Sequence, residues 1–266
     1  MPSHRSRRLA SALTLALAGL AATVAGCKKS EPSPAAASAP AAPGAPAGPP
    51  AAAAAGSGTL GKGSIHGSVK MTGKPPEARG VTTPDPFCAR QKIVEEEVLV
   101  NPAGGLKNVL VHVVKGAGVY DPPKNDAIVD QNGCMYRPRV QAVMAGQNVL
   151  IRNSDQTLHN VHTYRGASTM FNQAQIPGMG PMSKTFAESG QVIKFRCDVH
   201  PWMTGYVAVV NNPFFAVTGD DGSFTIEHLP PGTYTLEAWH ERLGTKMVAD
   251  LKVGEDQPAT ADFAFP

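Results

Sequence analysis

From Leu60 onward the chain is written in short runs of alternating apolar and polar residues, cut every few positions by Gly, Pro, Asn or Asp. Ser64–Thr72, Leu106–Val114, Val149–Asn153, Gln191–Cys197 and Tyr234–His240 are examples, and no long stretch keeps the 3.6-residue repeat of an amphipathic helix. Period-two alternation puts successive side chains on opposite faces, so each run has one face to bury and one to expose. The expectation is an all-β chain, and about 200 residues of short strands suffice for two small sandwiches.

The first quarter cannot share in that core. No Phe, Trp or Tyr precedes Phe87. Residues 1–8 are basic and Leu9–Gly26 is apolar and uncharged, which is the pattern of an export leader. Glu31–Gly58 holds 13 Ala, 7 Pro, 4 Gly, 3 Ser and one Glu, so it buries nothing and its prolines keep it extended. Residues 27–59 therefore read as a disordered Ala/Pro-rich tether, reaching several tens of Å at up to about 3 Å per residue. Three of the 24 basic residues, Arg5, Arg7 and Arg8, belong to the leader, so without residues 1–26 the chain balances 21 basic against 21 acidic groups. A neutral folded part argues against binding nucleic acid.

The leader ends in Val24-Ala25-Gly26-Cys27, which resembles the lipobox of bacterial lipoproteins. The resemblance implies a signal peptide at 1–26, lipidation of Cys27 and attachment to the membrane through that lipid. The chain would then sit in the cell envelope, facing the periplasm or the cell exterior. Lys28 and Lys29 after the cysteine, where Asp is absent, imply the outer membrane by the same resemblance.

Cys197-Asp-Val-His200-Pro-Trp-Met203 places a thiolate, an imidazole and a thioether on one short loop between two alternating segments. That soft set suits copper, because a trigonal His2Cys site with a weak axial Met is the blue-copper arrangement. A second histidine must come from elsewhere, and Leu158-His159-Asn160-Val161-His162 offers two, 38 and 35 residues before the cysteine. If Thr157–Tyr164 is a strand, two residues three apart point to opposite faces, and only one of the pair can reach the metal. The spacing does not suit structural zinc, for which Met is a poor ligand.

Over roughly residues 135–211 the chain resembles the cupredoxins, and among them the amicyanins most closely. The matching pieces are Asn153-x-Asp155, His159-Asn160-Val161-His162 and Phe195-x-Cys197-x-x-His200-Pro-Trp202-Met203-x-Gly205-Tyr206-Val207. The resemblance implies a Greek-key sandwich at 126–211 and one type 1 copper held by His159, Cys197, His200 and Met203. It also implies that Asn160 links the ligand loops from behind, and that His200 shows its ring edge through an apolar collar including Pro201 and Trp202. Once Cys27 and Cys197 are assigned, Cys88 and Cys134 remain, and an even pair in an oxidising compartment suggests a disulfide.

Thr218–Ile226 reads as strand, tight turn and strand, and Leu229–Leu236 as turn and strand. These segments resemble the carboxypeptidase regulatory-like module, a small transthyretin-like sandwich. Its usual opening resembles Gly67-Ser-Val69 and Gly73-Lys-Pro75, which lie far upstream. The implied arrangement is one sandwich from residues 60–125 and 212–266, with the cupredoxin domain inserted. Asp220-Asp221-Gly222 is read as a hairpin turn, in preference to a calcium loop.

The expected function is single-electron transfer with a redox protein partner of the envelope. A copper-holding or surface-binding structural lipoprotein is the alternative. A copper oxidase or reductase commonly carries a His beside the type 1 Cys, whereas Cys197 is flanked by Arg196 and Asp198; the chain is not expected to be an enzyme.

Overall fold

The computed structural model describes residues 58–266. The expected leader, the lipidated Cys27 and nearly all of the tether lie outside the described residues. Among the described residues, regular structure is all β apart from one 3-10 turn, Cys88–Gln91.

The first sandwich draws its strands from both ends of the described chain. One sheet orders β13 (Ser223–Leu229), β1 (Gly63–Met71) and β16 (Ala259–Thr260), with β17 (Phe263–Phe265) also paired to β1. The other orders β12 (Phe215–Val217), β2 (Leu110–Lys115), β14 (Gly232–His240) and β15 (Gly244–Val253). Alternation does here what the sequence implies: Ile65 and Val69, Phe224 and Ile226, and Tyr234, Leu236 and Ala238 all enter one core. Gly67 occupies the inward position between Ile65 and Val69, where a Cβ would come within 1.7 Å of the Ala261 carbonyl oxygen.

Two sheets also make the second sandwich. One orders β5 (Val140–Met144), β11 (Thr204–Val210), β10 (Gln191–Arg196), β7 (His159–Arg165) and β8 (Ser168–Gln175). It faces β4 (Tyr136–Arg137), β3 (Ala127–Gln131), β6 (Asn148–Asn153) and β9 (Met182–Thr185) across a core that includes Tyr136, Ile151, Val161, Ile193, Phe195 and Met203.

The two sandwiches are packed together through a third core. Val207 and Val209 point into the second sandwich, while their neighbours Ala208 and Val210 point outward to meet Leu110 and Trp239. A sheet buried on both faces loses the polar half of its alternation, which is why β11 reads as the near-continuous run Tyr206-Val-Ala-Val-Val210. Beside this core Arg139 grips Glu241 through two hydrogen bonds of 2.5 and 2.9 Å, and donates a third to the Thr204 carbonyl. Both side chains of this ion pair are buried.

Three expectations need correction. Residues Leu106–Val109 lie outside β2, because Asn108 adopts a left-handed conformation (φ 62°) and Leu106, Asn108 and Val109 are held instead by Thr218. The Gly219–Gly222 turn joins strands of opposite sheets, so it is not a hairpin. Its Asp221 carboxylate accepts from the Ser223 N–H and hydroxyl, and Asp220 pairs with Lys107. The long connection between β1 and β2 does not stay with the first sandwich as the 60–125 assignment implies: Val81, Phe87, Cys88 and Ile93 pack into the second core.

His240, at the end of β14, is buried, and its Nδ1 accepts from the backbone N–H groups of Arg242 and Leu243. That acceptor role requires the neutral ring, and burial, with the Arg139 charge, pushes its pKa down to about 4. The unfolded ring takes up a proton near pH 6.5, which the folded ring refuses until about 4. Stability should therefore fall as pH drops through that window, and the melting temperature of the His240→Asn variant should lose this part of the slope. The Glu241→Gln variant should lose about 3 kcal/mol in chemical denaturation, because Arg139 is left buried without its counter-charge. An Arg139→Met, Glu241→Leu double variant should recover much of that loss.

Candidate metal centre

The β10–β11 connection folds tightly on itself, with the Met203 N–H donating to the His200 carbonyl and the Cys197 N–H to the Met203 carbonyl. This brings Cys197, His200 and Met203 to one end of the second core, where all three are buried. His159 enters from the start of β7, paired beside β10. His159 Nδ1 lies 2.9 Å from His200 Nδ1, and Cys197 Sγ lies 3.9 and 3.7 Å from these two nitrogens. The thioether of Met203 shares the core with Cys197.

Each histidine has a carboxylate behind it. His159 Nε2 donates to Asp155 Oδ2 at 2.9 Å, and His200 Nε2 faces Asp85 Oδ2 at 3.4 Å. These partners assign the proton to Nε2 in both rings and leave each Nδ1 lone pair facing the other. Two such nitrogens at 2.9 Å need a positive charge between them, as a proton or a metal ion supplies. With a buried thiol as third donor, at separations of roughly 3–4 Å as expected for ligands about 2.0–2.3 Å from one ion, the set fits a soft metal. Burial alone would lower the His159 pKa, but hydrogen bonds to Asp155 and Cys197 outweigh it and raise the ring above its ordinary value. Burial and the His159 charge hold His200 below its own ordinary value.

Asn160 ties the two ligand segments together. Its backbone N–H points at Cys197 Sγ (3.4 Å), its side-chain oxygen accepts from the Asp198 N–H, and its amide donates to Asp198 Oδ2 and Asn172. Tyr136, fully buried, donates its hydroxyl to the carbonyls of Asn160 and Arg196. His162 lies on the opposite face of β7 from His159, bonded to Asp198, Thr169 and Tyr164 and away from the donor set. His240 lies beside Phe265 in the first sandwich.

Cys88 and Cys134 are joined by a disulfide of S–S length 2.01 Å. The bond fastens the β1–β2 connection over the metal-site loop. Cys88 Sγ comes within 3.6 Å of His200 Nε2, and the Cys134 carbonyl accepts from the Trp202 indole N–H. The Cys134 N–H in turn donates to Asp155 Oδ2, the oxygen that holds His159. Trp202 packs beside the His200 ring, with centroids 5.1 Å apart. The His200 ring is mostly enclosed, at 4% exposed with Asp85 and Cys88 against its Nε2, and it lines a surface cavity together with Pro201 and Trp202. Sequence reasoning missed Asp85 altogether, since it lies 115 positions before His200 in a segment without a recognisable motif. The Asp155 function was closer to view, because Asn153-x-Asp155 was part of the matched pattern.

Residues 206–266 match the model of the carboxypeptidase regulatory-like domain family, a span that begins within β11 of the second sandwich. No curated protein sequence matches the chain. Among solved structures, a purple cupredoxin from Nitrosopumilus maritimus is 26% identical, over 32% of this chain and 99% of that one, with a TM-score of 0.28. An amicyanin from Paracoccus versutus is 24% identical, over 37% and 96% of the two chains, with a TM-score of 0.29. A copper-containing nitrite reductase from Thermus scotoductus is 21% identical, with a TM-score of 0.30; the match covers 38% of this chain but 25% of the reductase. The chain thus matches the carboxypeptidase regulatory-like family model over residues 206–266, and it also holds a two-sheet sandwich whose β7 and β10–β11 loop bring His159, Cys197 and His200 together.

Proposed function

We propose that this protein is a type 1 (blue) copper protein of the cell envelope, anchored through a lipid on Cys27, that carries single electrons between protein redox partners. The observation that carries the reading is the closed, buried donor set: two imidazole nitrogens and one thiol converge, with a thioether in the same core. Copper would supply one-electron exchange between its two common oxidation states when bound. His159 and His200 would hold it through Nδ1, Cys197 through its thiolate, and Met203 as the weak fourth ligand. The Asn160 N–H aimed at Cys197 Sγ offsets part of the thiolate charge, and burial keeps water from the sulfur. Packing on every side holds the donors in place through a change of oxidation state, which keeps reorganisation small. A four-ligand set leaves no position for a substrate, so the chemistry is electron exchange. The leader and Cys27 support a membrane anchor facing the periplasm or the exterior, and Lys28 and Lys29 favour the outer membrane.

Purified protein titrated with Cu(II) should develop intense red-region absorption from the thiolate, and Cys197→Ser should abolish it. Copper bound without colour would refute the type 1 reading. His159→Ala should also remove the band, whereas His162→Ala should leave it nearly unchanged, since His162 points to the far side of β7. Loss of colour in the His162 variant with a normal spectrum in the His159 variant would reverse the ligand assignment.

A further inference from the structure

The two histidines of the metal centre are backed in parallel ways by different parts of the chain. Asp155, behind His159, comes from the β6–β7 loop of the same sandwich. Asp85, behind His200, comes from the β1–β2 connection that leaves the first sandwich. Its Oδ1 accepts from the N–H groups of Phe87 and Cys88, both at 2.8 Å, which fixes the carboxylate relative to the disulfide. Its Oδ2 accepts from the Thr157 hydroxyl at 2.7 Å and faces His200 Nε2. Asp85 Oδ2 and Cys88 Sγ are the polar partners found at His200 Nε2 among the described residues.

We propose that Asp85 is a positioning residue for the metal centre: its carboxylate fixes the His200 ring through Nε2 and lowers the reduction potential of the bound copper. This rests on the copper reading above. Held by Oδ1, the carboxylate cannot follow the His200 ring if it turns, so the ring is kept with Nδ1 toward Cys197 and His159. A fixed negative charge on the outer side of a ligand favours the more positive state of the site, which is the oxidised one. The exchange moves one electron between the copper and an external one-electron partner, and the proton on Nε2 stays on His200 throughout. The disulfide contributes by holding Asp85 in register over the ring.

The test is a spectroelectrochemical titration of the full copper-loaded chain, comparing wild type with Asp85→Asn, Asp85→Glu and Thr157→Val. Asp85→Asn keeps the shape and the Oδ1 bonds but removes the charge. At one applied potential its Cu(I):Cu(II) ratio should rise at least tenfold, a midpoint shift of about 59 mV upward. Asp85→Glu should recover part of the difference. Thr157→Val, which removes the hydroxyl that shares Oδ2, should shift the ratio the opposite way, and it keeps the proposal testable if Asp85→Asn does not fold. Wild-type midpoints in Asp85→Asn, or in Thr157→Val where only that variant folds, would overturn the role of Asp85 while leaving a normal type 1 spectrum intact. A wild-type protein with no thiolate band would instead sink the copper reading and this inference with it.

Discussion

The arrangement around the metal centre depends on one covalent constraint, the Cys88–Cys134 bond. The β1–β2 connection between Thr72 and Val109 contains no strand, only isolated bridges and the turn at Cys88–Gln91. Such a segment has little backbone pairing to hold it against a neighbouring sandwich. Closing 46 residues of separation removes about 4 kcal/mol of chain freedom from the unfolded state in the loop-entropy view. The same bond places Cys88 against His200, and the backbone of Cys134 against Asp155 and Trp202. The disulfide thus connects the surroundings of both histidines of the donor set, although neither of its cysteines belongs to that set.

Around that constraint the fold is a stack of sheets. β2 and β14 present one face to the first sandwich core and the other to the shared core, and β11 does the same from the second sandwich. Burial on both faces removes the freedom to slip in register, since a one-residue shift would turn every side chain to the wrong core. The buried Arg139–Glu241 pair adds a directional contact where apolar packing has none. These features hold the ligand loop, which begins and ends in β10 and β11, on a frame built from both modules.

What was legible in the sequence follows how local each feature is. Cys197, His200 and Met203 lie within seven residues on one loop, so their meeting needs only a tight turn, and the turn is written in the same residues. Strand parity allowed only one of His159 and His162 to reach the metal, the resemblance singled out His159, and the structure puts the two on opposite faces of β7. The cysteine pair could be picked out by counting. Asp85 could not, because its role comes from the path of a long irregular connection, which no periodicity encodes. The expected hairpin at Asp220–Gly222 failed for a related reason: a tight turn fixes chain reversal, but sheet membership is decided by partners far along the chain.

The covering of His200 changes what an approaching molecule would meet. The rim over the ring is assembled from Thr83 and Pro84 of the connection, Thr157 and Leu158 before β7, and Val199, Pro201 and Trp202 of the ligand loop. Three separate stretches of sequence therefore share one surface, and only the first of them carries no proposed metal ligand beside its rim residues. Thr83 and Pro84 belong to a segment whose ordering depends on a disulfide and not on metal coordination. Substitutions there can reshape the surface without touching the donor set, so the two are free to diversify separately.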